Sequence, residues 1–169
     1  MGKIRMKFVD RKSKLWKYLP DEIRGLLIDG EKLLVECHSL SGQISDYSYL
    51  VFPFAKAYEG FLKQLFLDLG LIHEEDFYSD DNRIGRILNP VFIDKPESVY
   101  YKLRKYSKEG EEAAERLWKV WTHGRNQLFH YYPHNFRRLS NQEAAKIIEE
   151  MLGAMSAAIE ILSSRSQRN

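Results

Sequence analysis

Polar side chains suited to phosphodiester chemistry lie in one short aromatic stretch, HGRNQLFHYY at residues 123–132, directly before Pro133. Arg125 offers a permanently charged, planar set of donors that fits phosphate oxygens. His130 carries an imidazole, which can take up or release a proton near neutral pH. Asn126 can orient that imidazole or bind phosphate. The combination suits metal-free cleavage of RNA, in which the ribose 2′-OH is the nucleophile. The alternative is a packed helix end with incidental polar residues.

Arg125 also occupies an unusual position, in the middle of an apolar helical stripe. At about 100° per residue, it shares a helix face with Trp121 and Leu128. Because burying an unpaired guanidinium is very costly, we expect Arg125 to have an acidic partner, a subunit partner or an anionic ligand. Gly124, directly before it, removes a side chain and permits close approach of another helix.

His130 lies about 140° from Arg125 around an ideal helix, so the two side chains do not meet on one face of a straight helix. They can converge where the helix distorts near Pro133, or across a cleft formed by two copies of the chain about a twofold axis. The simpler alternative is an ordinary ion pair between Arg125 and a neighbouring helix.

Helical periodicity dominates the rest of the chain and strand-like alternation is weak, which predicts an all-α fold. We expect one domain, residues 19–169, built as a helical bundle of four long helices plus a short one. A basic segment at residues 1–18 is expected to precede it as an arm or a short strand. The long helices are predicted at about residues 20–40, 47–71, 111–131 and from 141 onward, and the short one at 82–88.

Local signals refine these boundaries. Pro53 lies inside the second long helix, which either begins there or kinks there. The acidic residues 73–82 are predicted to form a loop, and residues 100–106 are predicted to begin helically. The SNQE sequence at residues 140–143 is a capping box, so the last helix should begin at that point.

Several classes of protein are excluded by the composition. Cys37 is the single cysteine, so neither an intrachain disulfide nor a cysteine-based metal site is expected. The histidines at 123, 130 and 134 lack a metal-ligand spacing, and no phosphate-binding glycine motif occurs, so we expect no metal and no cofactor. Without a secretory signal or a long apolar run, the protein is expected to be cytoplasmic, with no membrane partner.

Two stretches resemble a known family. RNQLFH, residues 125–130, is similar to the R-x4-6-H signature of the HEPN superfamily of small helical-bundle proteins. AYEGFLKQLF, residues 57–66, resembles the Glu-Gly helix of one HEPN branch, the RNase LS-type toxins (RnlA/LsoA), specifically their catalytic, antitoxin-binding domain. The resemblance covers most of residues 20–165.

The resemblance implies a HEPN-like helical bundle with metal-independent endoribonuclease activity. Arg125 and His130 would be the catalytic pair, Asn126 the polar residue that follows the arginine, and Glu59 the acidic residue of the toxin branch. Members of the family typically act as homodimers with the site at the dimer cleft, so RNA, a second copy and a protein antitoxin are the implied partners. Glu59 also has a simpler interpretation, as a surface residue that pairs with Lys56 and Lys63 along its own helix.

Further residues near the motif allow two interpretations each. Arg125, His130 and Tyr132 spell R-x4-H-x-Y, which resembles the motif of HEPN toxins whose tyrosine is adenylylated by a partner; the alternative is an aromatic helix end. Lys119, Arg137 and Arg138 are candidates for binding RNA, or else part of a solvated surface.

Two other functions also fit this sequence. The chain could be a non-catalytic HEPN-like module that binds nucleotide or a protein partner. It could also be an antitoxin-like or structural helical dimer in which Arg125 merely forms a salt bridge. An intact Arg-Asn-His set favours catalysis over both.

Overall fold

The computed structural model describes residues 9–37, 44–131, 133–134 and 137–166, with side chains described up to Ile161. Within these ranges all regular secondary structure is helical and no strand occurs, which confirms the predicted all-α fold. No helix among these residues is long and apolar enough to cross a membrane. The eight α-helices are α1 (Lys14–Tyr18), α2 (Asp21–Cys37), α3 (Phe52–Asp68), α4 (Glu74–Tyr78), α5 (Ile84–Ile87), α6 (Val99–Tyr106), α7 (Gly110–Trp121) and α8 (Asn141–Ser166).

The four long helices of the prediction are present as α2, α3, α7 and α8, and α5 is the predicted short one. The helical start predicted at residues 100–106 is α6. The prediction of a single short helix was wrong, because α1 and α4 are helical as well. The expected acidic loop contains α4, whose first turn is acidic and complements the positive end of the helix dipole. The predicted end of the first long helix, at about residue 40, lies outside the described residues.

The segment predicted as a basic arm or strand is described from Val9 onward, and there it includes a helix. Ser13 caps α1 by accepting a hydrogen bond from the backbone N–H of Trp16. Leu15 and Leu19 are buried in the core, and Lys14 forms a 3.0 Å ion pair with Glu160 of α8. From residue 9 the segment is therefore packed against the domain.

Helix α3 lies at the centre of the core. Its largest side chains, Phe54, Tyr58, Phe61 and Phe66, are fully buried, and the helix contacts both α2 and α8. Pro53 falls in its first turn, where a missing N–H costs nothing. The helix therefore begins at Phe52, with Pro53 in its first turn, and does not kink there. Residues 47–50 form a separate 3₁₀ turn.

The capping box predicted for α8 is confirmed. The Ser140 hydroxyl accepts from the Glu143 N–H at 3.2 Å, and the Glu143 carboxylate accepts from the Ser140 N–H at 2.8 Å. Two contacts join this end of α8 to the start of the 3₁₀ turn. The Leu139 N–H donates to Asp46 at 3.0 Å, and the Tyr47 N–H donates to the Leu139 carbonyl at 3.0 Å.

A buried hydrogen bond joins α3 to α7. The phenol of Tyr58 donates to the backbone carbonyl of Leu117 at 3.0 Å, and both side chains are buried. Tyr58 directly precedes Glu59, and Leu117 lies one turn before the end of α7. This bond therefore fixes the relative position of the two segments that carry the predicted site residues.

Replacing Tyr58 with phenylalanine should lower the free energy of unfolding by about 1 kcal/mol, because one buried hydrogen bond is lost while the ring is retained. Chemical denaturation measures the difference. Tyr78→Phe is the control, since that side chain is 75% exposed, and it should leave stability unchanged. Equal effects in the two variants would contradict a specific role for the bond.

The stability contributed by Tyr58 should depend on pH in the alkaline range. Burial raises the pKa of the Tyr58 phenol well above its ordinary value of 10.0. At a pH below 10.0 the phenol keeps its proton in both the folded and the unfolded chain. At a pH above 10.0 the unfolded chain releases the proton while the folded chain keeps it, which favours unfolding. The stability advantage of the wild type over Tyr58→Phe should therefore shrink as pH rises from about 9 to about 11. An advantage that stays constant in denaturation curves over this range would contradict the assignment.

Candidate active site

The predicted motif lies on a π-helical turn. Helix α7 ends at Trp121, and residues 122–126 form one wide turn closed by a 2.9 Å hydrogen bond from the Gln127 N–H to the Thr122 carbonyl. The prediction that this helix runs unbroken to residue 131 was wrong. His130 lies beyond the helix altogether, so the angle expected from an ideal helix does not apply. Single π turns of this kind are frequent at functional sites.

Gly124 allows this turn to lie directly on α8. It is buried, and a Cβ atom at this position would be 2.2 Å from Cε of Met151 and 3.2 Å from Cγ2 of Ile147. The close helix approach expected at Gly124 is therefore confirmed. Any side chain here would displace the turn from α8 or displace Met151.

Arg125 has the acidic partner that its position requires. Its Nε atom lies 3.6 Å from Oε2 of Glu59, and its guanidinium lies 5.6 Å from the ring centre of Trp121. The two charged side chains are 37% and 33% exposed, so the pair is partly solvated and weakly bound. The closest approach between the two side chains is the one through Nε.

Glu59 therefore faces the motif instead of the neighbouring lysines. Among the described residues its ion pair is with Arg125, and Lys56 and Lys63 form none with it. The surface interpretation of Glu59 does not describe the structure.

One open cavity of about 1100 Å³ brings the four predicted catalytic residues together. Glu59 reaches it from α3, Arg125 and Asn126 from the π turn, and His130 from the segment that follows. His130 and Asn126 are exposed to solvent. The wall is completed by Asp81, Arg83, Ile84, Gly85, Arg86, Phe92 and Trp121.

A smaller cavity of about 330 Å³ adjoins the first and shares Glu59 and Arg125 with it. Phe52 and Phe129 also line it, and their rings meet edge to face with centres 5.6 Å apart. The ion pair thus borders two cavities, and the smaller of them is lined in part by this pair of aromatic rings.

The other predicted residues lie elsewhere. Lys119, Arg137 and Arg138 do not line either cavity, and Arg137 approaches Gln127 at 3.4 Å. Tyr132 lies outside the described residues. No three His, Cys, Asp or Glu side chains are close enough to hold a metal ion in the described part of the chain.

Sequence reasoning missed Arg83 and Arg86. Both lie in the short helical segment predicted at residues 82–88, and both line the cavity. Their spacing of three places them on one side of a helical turn. That spacing is a weak signal, since nothing in the sequence tells which distant segment such a short helix contacts.

Comparison with models of known protein families identifies the family of this chain. The family model described as RNase LS, bacterial toxin DBD domain, matches residues 11–132, which is well over half of the sequence. The chain belongs to this family. No curated protein and no solved structure matches it. The match confirms the expected relationship to RNase LS toxins, through a domain described as DBD and not through one described as catalytic.

The matched part of this toxin-family domain contains Glu59, Arg125, Asn126 and His130, and it ends before α8. Helix α8 nevertheless supports the π turn through Met151 and Ile147. The match establishes the family, and the activity has to be argued from the site itself.

Gly124→Ala should lower the free energy of unfolding by about 1–3 kcal/mol, because the added methyl group overpacks the contact with α8. Gly25→Ala in α2 is the matched control, since a Cβ there meets no atom within 4 Å. That change should stabilise the helix by about 0.5–1 kcal/mol. Thermal or urea unfolding of both variants measures the contrast. If both alanines stabilise, the close contact at Gly124 does not exist in solution.

Proposed function

We propose that this RNase LS toxin-family domain is a metal-independent endoribonuclease of HEPN type that acts in the cytoplasm. The observation that carries the proposal is the convergence of Glu59, Arg125, Asn126 and His130, from two distant segments, on one open cavity. These are the residue types that RNA cleavage by its own 2′-OH requires.

His130 is the proposed proton-transfer group. RNA cleavage begins when a base removes the proton of the ribose 2′-OH and the oxygen attacks the adjacent phosphorus. The 5′-oxygen then leaves and takes up a proton, and a 2′,3′-cyclic phosphate remains. An exposed imidazole at the cavity rim can reach the substrate and exchange protons with water.

Arg125 is proposed to stabilise the charge that develops on the phosphorane. Its side chain is 37% exposed and lines the cavity, so the guanidinium can donate to phosphate oxygens of a bound strand. Glu59 would hold the guanidinium in position or serve as a second proton-transfer group. Asn126, next to Arg125 on the π turn, would orient His130 or bind phosphate.

The proposed assembly is a homodimer with an antitoxin. One imidazole cannot serve as base and acid at the same instant, and a second copy across the cleft would supply another. The cavity is open, and Tyr131, beside His130, is 72% exposed, so this edge has room for a partner. Membership in a toxin family suggests a protein antitoxin that restrains the activity.

A non-catalytic binding module is the second candidate. The observation in its favour is the ion pair itself, since Glu59 neutralises Arg125 without any ligand. In that case Arg125 would hold α3 against the π turn, and the cavity would bind a nucleotide or a protein segment without cutting RNA.

The deciding experiment is cleavage of a mixed-sequence RNA in EDTA by the wild type, Arg125→Ala and His130→Ala. The wild type should cut and leave 2′,3′-cyclic phosphate ends, and His130→Ala should be slower by about 10²–10⁴-fold, as expected for loss of an acid-base group. Arg125→Ala should lose activity to a similar degree. Product ends are identified by mass spectrometry.

His134→Ala is the matched control, since this exposed histidine lies four residues further on and does not line the cavity. It should cut as fast as the wild type. A folded wild type that leaves RNA intact would support the binding module. Equal cutting of strands whose attacking 2′-OH has been removed would rule out the mechanism.

A further inference from the structure

One wall of the large cavity has no role in the proposed reaction. It is formed by α5 and the 3₁₀ turn at residues 90–92, which contribute Arg83, Arg86 and Phe92. The two arginines flank Gly85, and the short helix turns both of them toward the same cavity as Arg125.

Gly85 brings this wall close to the π turn. A Cβ atom at this position would lie 3.1 Å from Nε1 of Trp121. Trp121 is buried, and its ring also lies beneath the guanidinium of Arg125. The indole of Trp121 is therefore packed between α5 and Arg125, which places the arginines of α5 beside the catalytic candidate.

The arginines around this cavity differ in whether they form an ion pair with a carboxylate. Arg86 forms a 3.0 Å ion pair with Glu97, and Arg125 is paired with Glu59. Arg83 is exposed and forms no ion pair with any described residue, although Asp81 lines the same cavity. The lining carries three arginines against two carboxylates, Glu59 and Asp81, so positive charge is in excess there. A bound anion would balance that excess.

We infer that Arg83, supported by Arg86, forms a second phosphate subsite, and that the ligand is a single RNA strand spanning this subsite and Arg125. The inference rests on the proposed function, since it names the substrate of the same cavity. Phe92, 38% exposed on the same wall, offers a ring on which an unpaired base can stack. Bases held in a duplex do not present their faces to such a ring.

The test compares the wild type with Arg83→Ala on two substrates. On a single-stranded oligonucleotide, Arg83→Ala should raise KM about tenfold, the effect of losing one charge-assisted hydrogen bond, with kcat nearly unchanged. On a dinucleoside monophosphate, which has the scissile phosphate alone, the two proteins should behave alike. Arg83→Lys should recover part of the loss because it keeps the charge.

Binding of an uncleavable 2′-O-methyl strand provides a readout that does not depend on catalysis. The slope of log affinity against log salt should be shallower by about 0.7 in Arg83→Ala, the value for one phosphate contact in a single strand. Arg116→Ala is the matched control, since it removes the same charge from an exposed position on α7 outside this cavity. It should leave the slope unchanged.

The outcomes separate the two proposals. If the wild type fails to cut RNA but Arg83→Ala weakens strand binding with the shallower slope, the nuclease proposal fails and the subsite stands. If the wild type cuts but Arg83→Ala changes neither KM nor the slope, the subsite is wrong and the nuclease proposal stands. Equal losses in Arg83→Ala and Arg116→Ala, or no binding of any strand by the wild type, also overturn the subsite.

Discussion

The contact between Gly124 and α8 is the constraint on which the site depends. A helix that carries a side chain at this position can lie this close to Met151 and Ile147 only if the tip of Met151 moves. The wide turn that contains Gly124 ends the regular path of α7 and directs the following residues away from it. Arg125 faces α3, and His130 leaves the helix and reaches the same cavity. Core packing and site geometry therefore have the same cause.

A second constraint acts through α3. The Tyr58 phenol is held by the Leu117 carbonyl, and the next residue along α3 is the carboxylate that meets Arg125. A partly solvated ion pair is too weak to fix two helices by itself. The buried hydrogen bond and the surrounding aromatic core do so instead, so the position of the two helices does not depend on the Glu59–Arg125 pair.

The sequence allowed the acidic partner of Arg125 to be anticipated because this residue breaks a pattern. Arg125 is a charge on an apolar stripe, and an acidic partner followed from the cost of burying it. Long helices such as α3 and α8 were predictable from their apolar period and from the capping box at residues 140–143. Local patterns in the sequence are enough to predict a long helix, or to single out a charged residue on an apolar helix face.

The remainder of the site depends on contacts that local patterns do not encode. A π turn of five residues is too short to produce a recognisable spacing of apolar residues. The end of α7 was therefore predicted in the wrong place. Arg83 and Arg86 lie beside the cavity because Gly85 packs closely against Trp121. These two residues are more than thirty positions apart in the sequence, so no local pattern indicates the contact. The short helix α4 was missed because its acidic residues, taken alone, are typical of a loop.

The glycine in the π turn has a consequence for genetics. The tip of the Met151 side chain occupies the place that a methyl group at position 124 would need. A substitution at either residue therefore alters the distance between the π turn and α8. Selection for chains that lack the proposed activity would then recover substitutions in α8, far from the motif, in addition to those at the proposed catalytic residues Arg125 and His130. A shorter side chain in place of Met151 would act as a second-site suppressor of alanine at position 124. Such a suppressor would restore the turn without touching any residue that lines the cavity.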